Sequence, residues 1–307
     1  MTVGIIDIGS NSVKLNAYRS NEDAVHIIFS RKESLGLVFY VKKGVLTDEG
    51  IGKLVDVLQS LKTDLDYLKI DNYRFFATAS LRNIKNSSEV LKTVKDEVGI
   101  DIDLLSSSEE GELSFLGSLS AIKEDDGVLI DVGGGSVEIV PYKNREITQK
   151  YSIPVGSLKM YNSYVSNLIP TELECYKIEK RVFSELIKIG VKNDEKKPFL
   201  CTVGGSVRAV EQLMVDLKIK SKDEELIDIN QFLELKNELQ GNNKETYNKI
   251  LHVKPSRIHL VVPTLMIVLA VASYFGCEKV QVSKFSVREG YLHKKILNRC
   301  PNVTMGL

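Results

Sequence analysis

The chain has 307 residues, about twice the usual domain size, so two domains are expected, with a core that needs no disulfide staples. Forty-one Lys and Arg balance forty-one Asp and Glu, for zero net charge and a pI near 6.9. That balance argues against bulk binding to nucleic acid or to a membrane surface, though not against a locally basic groove. With 43% hydrophobic and 27% charged residues, the composition is that of an ordinary soluble globular protein.

In chain order, an apolar run at residues 3–8 predicts a buried strand. A turn at Gly9-Ser-Asn-Ser12 follows, and residues 13–18 suit the hairpin partner. Ile51, Leu54, Val55, Leu58, Leu61, Leu65 and Leu68 form a helical stripe over residues 48–68. A strand at 73–78, a helix at 88–98, a strand at 101–105 and a helix at 108–122 come next. A second hairpin spans 128–132 and 137–142 around Gly133-Gly-Gly-Ser136. Beyond it lie a helix at 171–189, a strand from Phe199 into the Gly204-Gly205 turn, and helices at 206–217, 231–239 and 262–274. A strand at 279–282 and a last helix at 286–297 complete the pattern, which predicts mixed sheets covered by helices, an α/β fold.

Lysine-rich stretches at 192–197 and 218–222 read as solvated loops. The apolar run at 260–272 is about thirteen residues long and carries Pro263; it is short for a membrane span and reads as a core helix. The N-terminus has no basic region before its apolar run, so no signal peptide is expected. Cys175, Cys201, Cys277 and Cys300 are widely spaced and predict reduced thiols, consistent with a cytoplasmic location.

Two stretches match at an offset of 124 residues. Ile5-Ile-Asp-Ile-Gly-Ser-Asn-Ser-Val-Lys-Leu15 aligns with Leu129-Ile-Asp-Val-Gly-Gly-Gly-Ser-Val-Glu-Ile139, placing Asp7 on Asp131, Gly9 on Gly133 and Ser12 on Ser136. A repeat of that size predicts two related domains, 1–122 and 123–287, with a boundary near 121–127. Turns of small residues let the backbone approach a ligand with its N–H groups pointing outward. Ser10, Asn11, Ser12 and Gly133, Gly134, Gly135, Ser136 are therefore candidate phosphate loops, and Asp7 and Asp131 can each hold a metal or a water beside them. Either copy alone also reads as a plain tight hairpin. The same acid in both favours the ligand. Gly204, Gly205 and Ser206 precede a helix, whose N-terminus favours anions; a simple strand–helix connection is the other reading.

The Walker pattern, G-x-G-x-x-G and the G-x-S-x-G elbow are absent, and His26, His252, His259 and His293 lack paired metal spacing. Several further motifs occur in order: Ala77-Thr-Ala-Ser-Leu-Arg82 with Asn86, Ser108-Glu-Glu110, Val155-Gly-Ser-Leu158, Val203-Gly-Gly-Ser206 and Arg288-Glu-Gly290. With the two Asp-Gly loops, they make the chain resemble the exopolyphosphatase and guanosine pentaphosphate phosphatase family, across residues 3–297. That family lies within the actin, Hsp70 and sugar-kinase superfamily.

The resemblance implies two duplicated ribonuclease-H-like (actin-like) domains, the first completed by the last helix at about 288–304, with the active site in the cleft between them. It implies that Glu110 activates the attacking water, with Arg82 near the terminal phosphate. Asp131 and Glu138, with Asp7, would serve magnesium or another divalent cation, and stimulation by a monovalent cation fits the family. Gly204, Gly205 and Ser206 would line the cleft. Departures are Arg257-Ile-His259 in place of R-A-D, Ser286-Val287 before Arg288, and Glu112 where Arg is common.

These residue types suit phosphoryl transfer, which rests on positioning and on neutralising oxygen charge. Ser107-x-x-Glu110 is also the spacing of a capping box, and one carboxylate could not easily serve as both cap and base. The implied activity is an exopolyphosphatase that releases orthophosphate from polyphosphate. The alternatives are a guanosine pentaphosphate phosphohydrolase, a non-catalytic nucleotide or polyphosphate sensor, and, more weakly, a sugar or acetate kinase. No nucleic-acid or membrane partner is expected, and a homodimer is compatible with the family. A neutral chain acting on a polyanion should gather its positive charge in the cleft.

Overall fold

A computed structural model describes residues 1–21, 24–191, 196–240, 244–298 and 304–306; Cys300 and part of the first lysine-rich stretch (192–195) lie outside them. The chain divides into two compact units, Met1–Glu110 with Tyr291–Leu307, and Gly111–Gly290. It passes from the first to the second at Glu110/Gly111, inside a helix, and returns at Gly290/Tyr291.

Unit 1 opens with β1 (Thr2–Ile8), β2 (Val13–Ser20) and β3 (Ala24–Glu33), followed by the short pair β4 (Val41–Lys42) and β5 (Val45–Leu46). Then come α1 (Asp48–Tyr67), β6 (Tyr73–Ala77), α2 (Ala79–Arg82), α3 (Ser87–Val98), β7 (Ile102–Leu104) and the first turn of α4 (Ser107–Ser118). Strand β1 pairs antiparallel with β2 and parallel with β6, so the hairpin sits at mid-sheet. Ile51, Leu54, Leu58, Leu61 and Leu65 of α1 share one core with Ile6, Ile8 and Leu15 of that sheet, as the helical stripe predicts. Thr47 caps α1 by accepting the Gly50 N–H at 3.3 Å.

Unit 2 repeats the plan. Its hairpin is β8 (Gly127–Val132) and β9 (Val137–Lys143), extended by β10 (Glu146–Ile147) and β11 (Tyr151–Ile153). Next are α5 (Ser157–Tyr164), α6 (Glu172–Lys188), β12 (Phe199–Val203) and α7 (Gly205–Asp216). The unit continues through β13 (Ile227–Asp228), α8 (Ile229–Glu238), α9 (Lys244–Val253), α10 (Ile258–Phe275) and β14 (Lys279–Val282). Helix α11 (Val287–Tyr291) leads back to unit 1, into a π-helical turn at Leu292–Ile296 and β15 (Thr304–Gly306), which pairs with β3. Strand β8 pairs antiparallel with β9 and parallel with β12, as β1 does with β2 and β6. Each unit is thus a hairpin extended by a parallel strand that runs into a helix.

Helix α10 runs through Pro263 and is longer than the thirteen-residue run suggests. It is long and apolar enough to cross a membrane, yet most of that length is buried within the protein. It packs against α5, α6, α7, α8 and α9, so it needs no polar face. The stretch 218–222 is not a fully solvated loop: Lys220 is only 5% exposed, with its Nζ 3.3 Å from Glu211 Oε1. Cys175, Cys201 and Cys277 are free and buried. Burial pushes the thiols of Cys175 and Cys277 up to about 11 and 12, which makes them inert.

Candidate functional site

In unit 1 the turn after β1 closes with a Gly9 N–H···O=C Ser12 bond of 3.1 Å. The carbonyls of Ser10 and Asn11 accept the backbone N–H groups of Val38 and Gly36, at 3.2 and 3.0 Å. With its carbonyls occupied, the loop keeps the amides of Ser10 and Asn11 without an acceptor among the described residues. Asp7 stands opposite Lys14 in the hairpin register, 3.9 Å from its ammonium. Behind the turn, the Ser80 hydroxyl donates to the Ile8 carbonyl and ties the start of α2 to the end of β1.

Glu110 lies in the first turn of α4 and is 7% exposed. It does not cap the helix. Ser106 and Glu109 do: Glu109 Oε2 accepts the Ser106 N–H at 3.1 Å, and the Glu109 N–H returns to Ser106 Oγ at 3.2 Å. The cap therefore lies one residue before the Ser107–Glu110 spacing, a step of about 100° around a helix. Arg82, at the end of α2, donates from Nη1 to Glu110 Oε2 at 3.0 Å and to the Leu105 carbonyl at 2.7 Å. The backbone bonds to Ser106, and then the Lys295 ammonium at 3.0 Å, hold the Glu109 carboxyl down at about 2.

Unit 2 builds its loop in the same way. Gly133 N–H bonds the Ser136 carbonyl at 3.0 Å, and the N–H groups of Ser157 and Lys159 take the carbonyls of Gly133 and Gly134, both at 2.9 Å. The amides of Gly134 and Gly135 have no acceptor among the described residues. Asp131 faces Glu138 across the hairpin, two carboxylates where unit 1 has an acid and an amine. Glu138 is completely buried, and its Oε1 accepts from Ser136 Oγ at 2.8 Å and Ser152 Oγ at 2.9 Å. Ser114 of α4 donates to Asp131 Oδ2. Glu112, two residues earlier on the same helix, pairs with Lys150 at 3.1 Å.

Gly204 is the N-cap of α7, with no side-chain cap bond, and a Cβ there would lie 2.7 Å from the Val132 carbonyl at the end of β8. Beside it is Arg257, which the motif reading did not select. It is 7% exposed and donates to Ser206 Oγ at 2.6 Å; no carboxylate lies within ion-pairing distance among the described residues. Burial and then Arg208 lower its hold on the proton. Burial and then Arg257 lower the pKa of His259, whose ring meets Tyr161 edge-on with centroids 5.2 Å apart. A buried, unmatched guanidinium beside an uncapped helix start is a place for an anion. Lys14 lies within the repeat and Arg257 at the altered R-A-D stretch, but only their geometry marks either as a site residue.

Solved structures share this fold. They include an exopolyphosphatase from Cytophaga hutchinsonii (TM-score 0.87, 22% identity, 97% of this chain and 99% of that one) and a Ppx/GppA enzyme from Aquifex aeolicus (TM-score 0.78, 26% identity, 95% and 98%). The bifunctional 3-dehydroquinate synthase/phosphatase of Fusobacterium nucleatum is 28% identical over 302 residues, 91% of this chain and 44% of that protein. An uncharacterised protein of Streptomyces coelicolor is 27% identical over 169 residues, 54% of this chain and 50% of that protein. The chain thus spans about half the length of the curated relatives it matches. The family model that matches covers residues 17–299, and the chain belongs to the Ppx/GppA phosphatase family.

Proposed function

We propose that the chain is an exopolyphosphatase that hydrolyses the terminal phosphoanhydride of inorganic polyphosphate. The observation that carries this reading is Glu110, buried, relieved of helix capping by Glu109, and oriented by Arg82. Glu110 takes the proton of the attacking water, and the oxygen adds to the terminal phosphorus as the bridging oxygen leaves with the shortened chain. Arg82 and the amides of Ser10 and Asn11 in unit 1, and the amides of Gly134 and Gly135 in unit 2, are suited to stabilise charge on phosphate oxygens. Lys14 in unit 1 and Arg257 in unit 2 are each a cation suited to a polyanion.

The donor chemistry of unit 2 fits a divalent cation. Asp131 and Glu138 are hard oxygen donors facing each other, whereas Asp7 already has Lys14 beside it. Mg²⁺ takes one or two carboxylates and completes its shell with water and phosphate. Asp131 and Glu138 would hold Mg²⁺, which when bound neutralises phosphate charge.

The test is phosphate release from long-chain polyphosphate by wild type and Glu110→Gln. A loss of about 10²–10⁴-fold is expected for removal of a general base, and equal rates would refute the assignment. The Tyr161–His259 pair beside Arg257 supports a second reading, guanosine pentaphosphate hydrolysis, since an aromatic edge can receive a purine. Competing the two substrates at fixed Mg²⁺ separates the readings: the one with the higher kcat/KM is the substrate.

A further inference from the structure

Glu109 is held from two sides. Its Oε2 takes the Ser106 N–H and the Ser106 hydroxyl, at 3.1 and 2.9 Å, and its Oε1 takes the Lys295 ammonium at 3.0 Å. Lys295 arrives from the far end of the chain, on the π-helical turn Leu292–Ile296. Such turns are rare, occur mostly singly, and are frequent at functional positions. Tyr291, at the start of that return, stacks on Phe76 at 4.9 Å and donates from its hydroxyl to Asp103 Oδ2 at 3.1 Å. The C-terminal segment is thus fixed on β6 and β7 before it presents Lys295.

We propose that Lys295 and Glu109 form a brace whose task is to position Glu110. The proposal rests on the reading of Glu110 as the base. The first turn of a helix has unsatisfied N–H groups and frays, and Glu110 stands on that turn. A base displaced by a fraction of an ångström loses rate, so a carboxylate at a fraying end needs its turn pinned. Ser106 and Glu109 pin it locally, Lys295 fixes the Glu109 side chain, and Arg82 ties down the preceding Leu105 carbonyl. Lys295 and Glu109 are both about two-fifths exposed, and ion pairs so exposed add little to global stability. A merely structural pair of this kind would be nearly silent in every assay. A positioning pair shows in kcat.

The experiment compares Lys295→Met, Lys295→Arg, Glu109→Gln, the Met/Gln double variant and Glu110→Gln in the full chain, with long-chain polyphosphate as substrate. Lys295→Met and Glu109→Gln are each expected to lower kcat about tenfold with KM unchanged. The double variant should be no worse than either single, because both cut the same contact. Lys295→Arg should recover the rate, and thermal midpoints should stay within about 2 °C of wild type. Wild-type kcat in Lys295→Met and Glu109→Gln beside an inactive Glu110→Gln would overturn the brace alone, as would additive losses in the double variant. An active Glu110→Gln would overturn the base and the brace together. Should Lys295→Met fail to fold, Glu109→Gln decides, since its amide oxygen keeps the Ser106 cap while losing the ion pair.

Discussion

In unit 1 the strand-end Asp7 faces Lys14; at the matching register of unit 2, Asp131 faces Glu138. The backbones around these pairs are built alike. Both turns close on a glycine–serine bond of about the same length, 3.1 and 3.0 Å. Both have their carbonyls taken by amides from a separate segment, Gly36 and Val38 in one, Ser157 and Lys159 in the other. On the reading proposed above, one scaffold serves two tasks. An acid beside an amine is nearly neutral and leaves its loop to bind phosphate through amides and a cation. Two acids directly opposite destabilise a hairpin unless a cation relieves them. On the proposed reading, the repeat would supply phosphate binding twice and a metal-binding carboxylate pair once.

The most direct way to break this difference is Glu138→Gln, which keeps an acceptor for Ser136 and Ser152 and removes the charge. Phosphate release should fall by about 10³-fold and lose its dependence on Mg²⁺ concentration, read from kcat across a Mg²⁺ titration. Next in size is Gly156→Ala. A Cβ there would strike the backbone of Gly134 and Gly135, so urea unfolding should show a loss of about 3 kcal/mol. The unit 1 counterpart of that clamp is Gly36, at φ 64°. Gly36→Ala should cost only about 1 kcal/mol, because the added methyl meets the movable ring of Phe39 and the left-handed backbone is the main penalty. Smaller on stability but visible in kinetics is Lys14→Met. It should raise KM for polyphosphate about tenfold and leave kcat within about twofold, since Lys14 balances charge outside the proton transfer.

The hairpins were legible because strand, turn and acid are all written in side chains, twice. The clamps were not. Gly36, Val38 and Lys159 act through backbone N–H groups, which no side-chain pattern announces, and the Val155-Gly-Ser-Leu158 motif marked Ser157 without showing what it holds. The helix cap was legible in kind and ambiguous by one step, because Ser106-Ser107 followed by Glu109-Glu110 satisfies the capping spacing in two registers. Packing chooses between them: the register that buries Glu110 leaves Glu109 at the surface. Arg257 sits in a stretch that departs from the family's usual motif, and among the described residues no carboxylate pairs with it. Helix α10 looked shorter because Pro263 reads as a break; here it costs one backbone bond, to the His259 carbonyl, within a helix held by its neighbours.

The two helix starts differ in the same sense as the two hairpins, and this gives the finest test. Helix α7 begins at Gly204 with no side-chain cap and stays open to an anion, while α4 is closed by its own Glu109. The Glu109 carboxyl is held at about 2, below its ordinary value of 4.5. Because the folded-state value is depressed, the cap's contribution is complete above about pH 4.5 and disappears as the pH falls through 2. Glu109→Gln should therefore flatten the acid limb of the stability curve between those limits. The side chain is well exposed, so the expected difference is below about 1 kcal/mol, read from urea midpoints at pH 5 and pH 2.5. A cap equivalent placed on α7, Gly204→Ser, tests the other side of the contrast. Because the added Cβ would strike the Val132 carbonyl at a φ of 130°, the variant would displace the start of α7, and it should weaken polyphosphate binding and lower the urea midpoint together. If α4 lost no acid-dependent stability in Glu109→Gln and α7 bound polyphosphate as before in Gly204→Ser, the contrast between a closed and an open helix start would not hold.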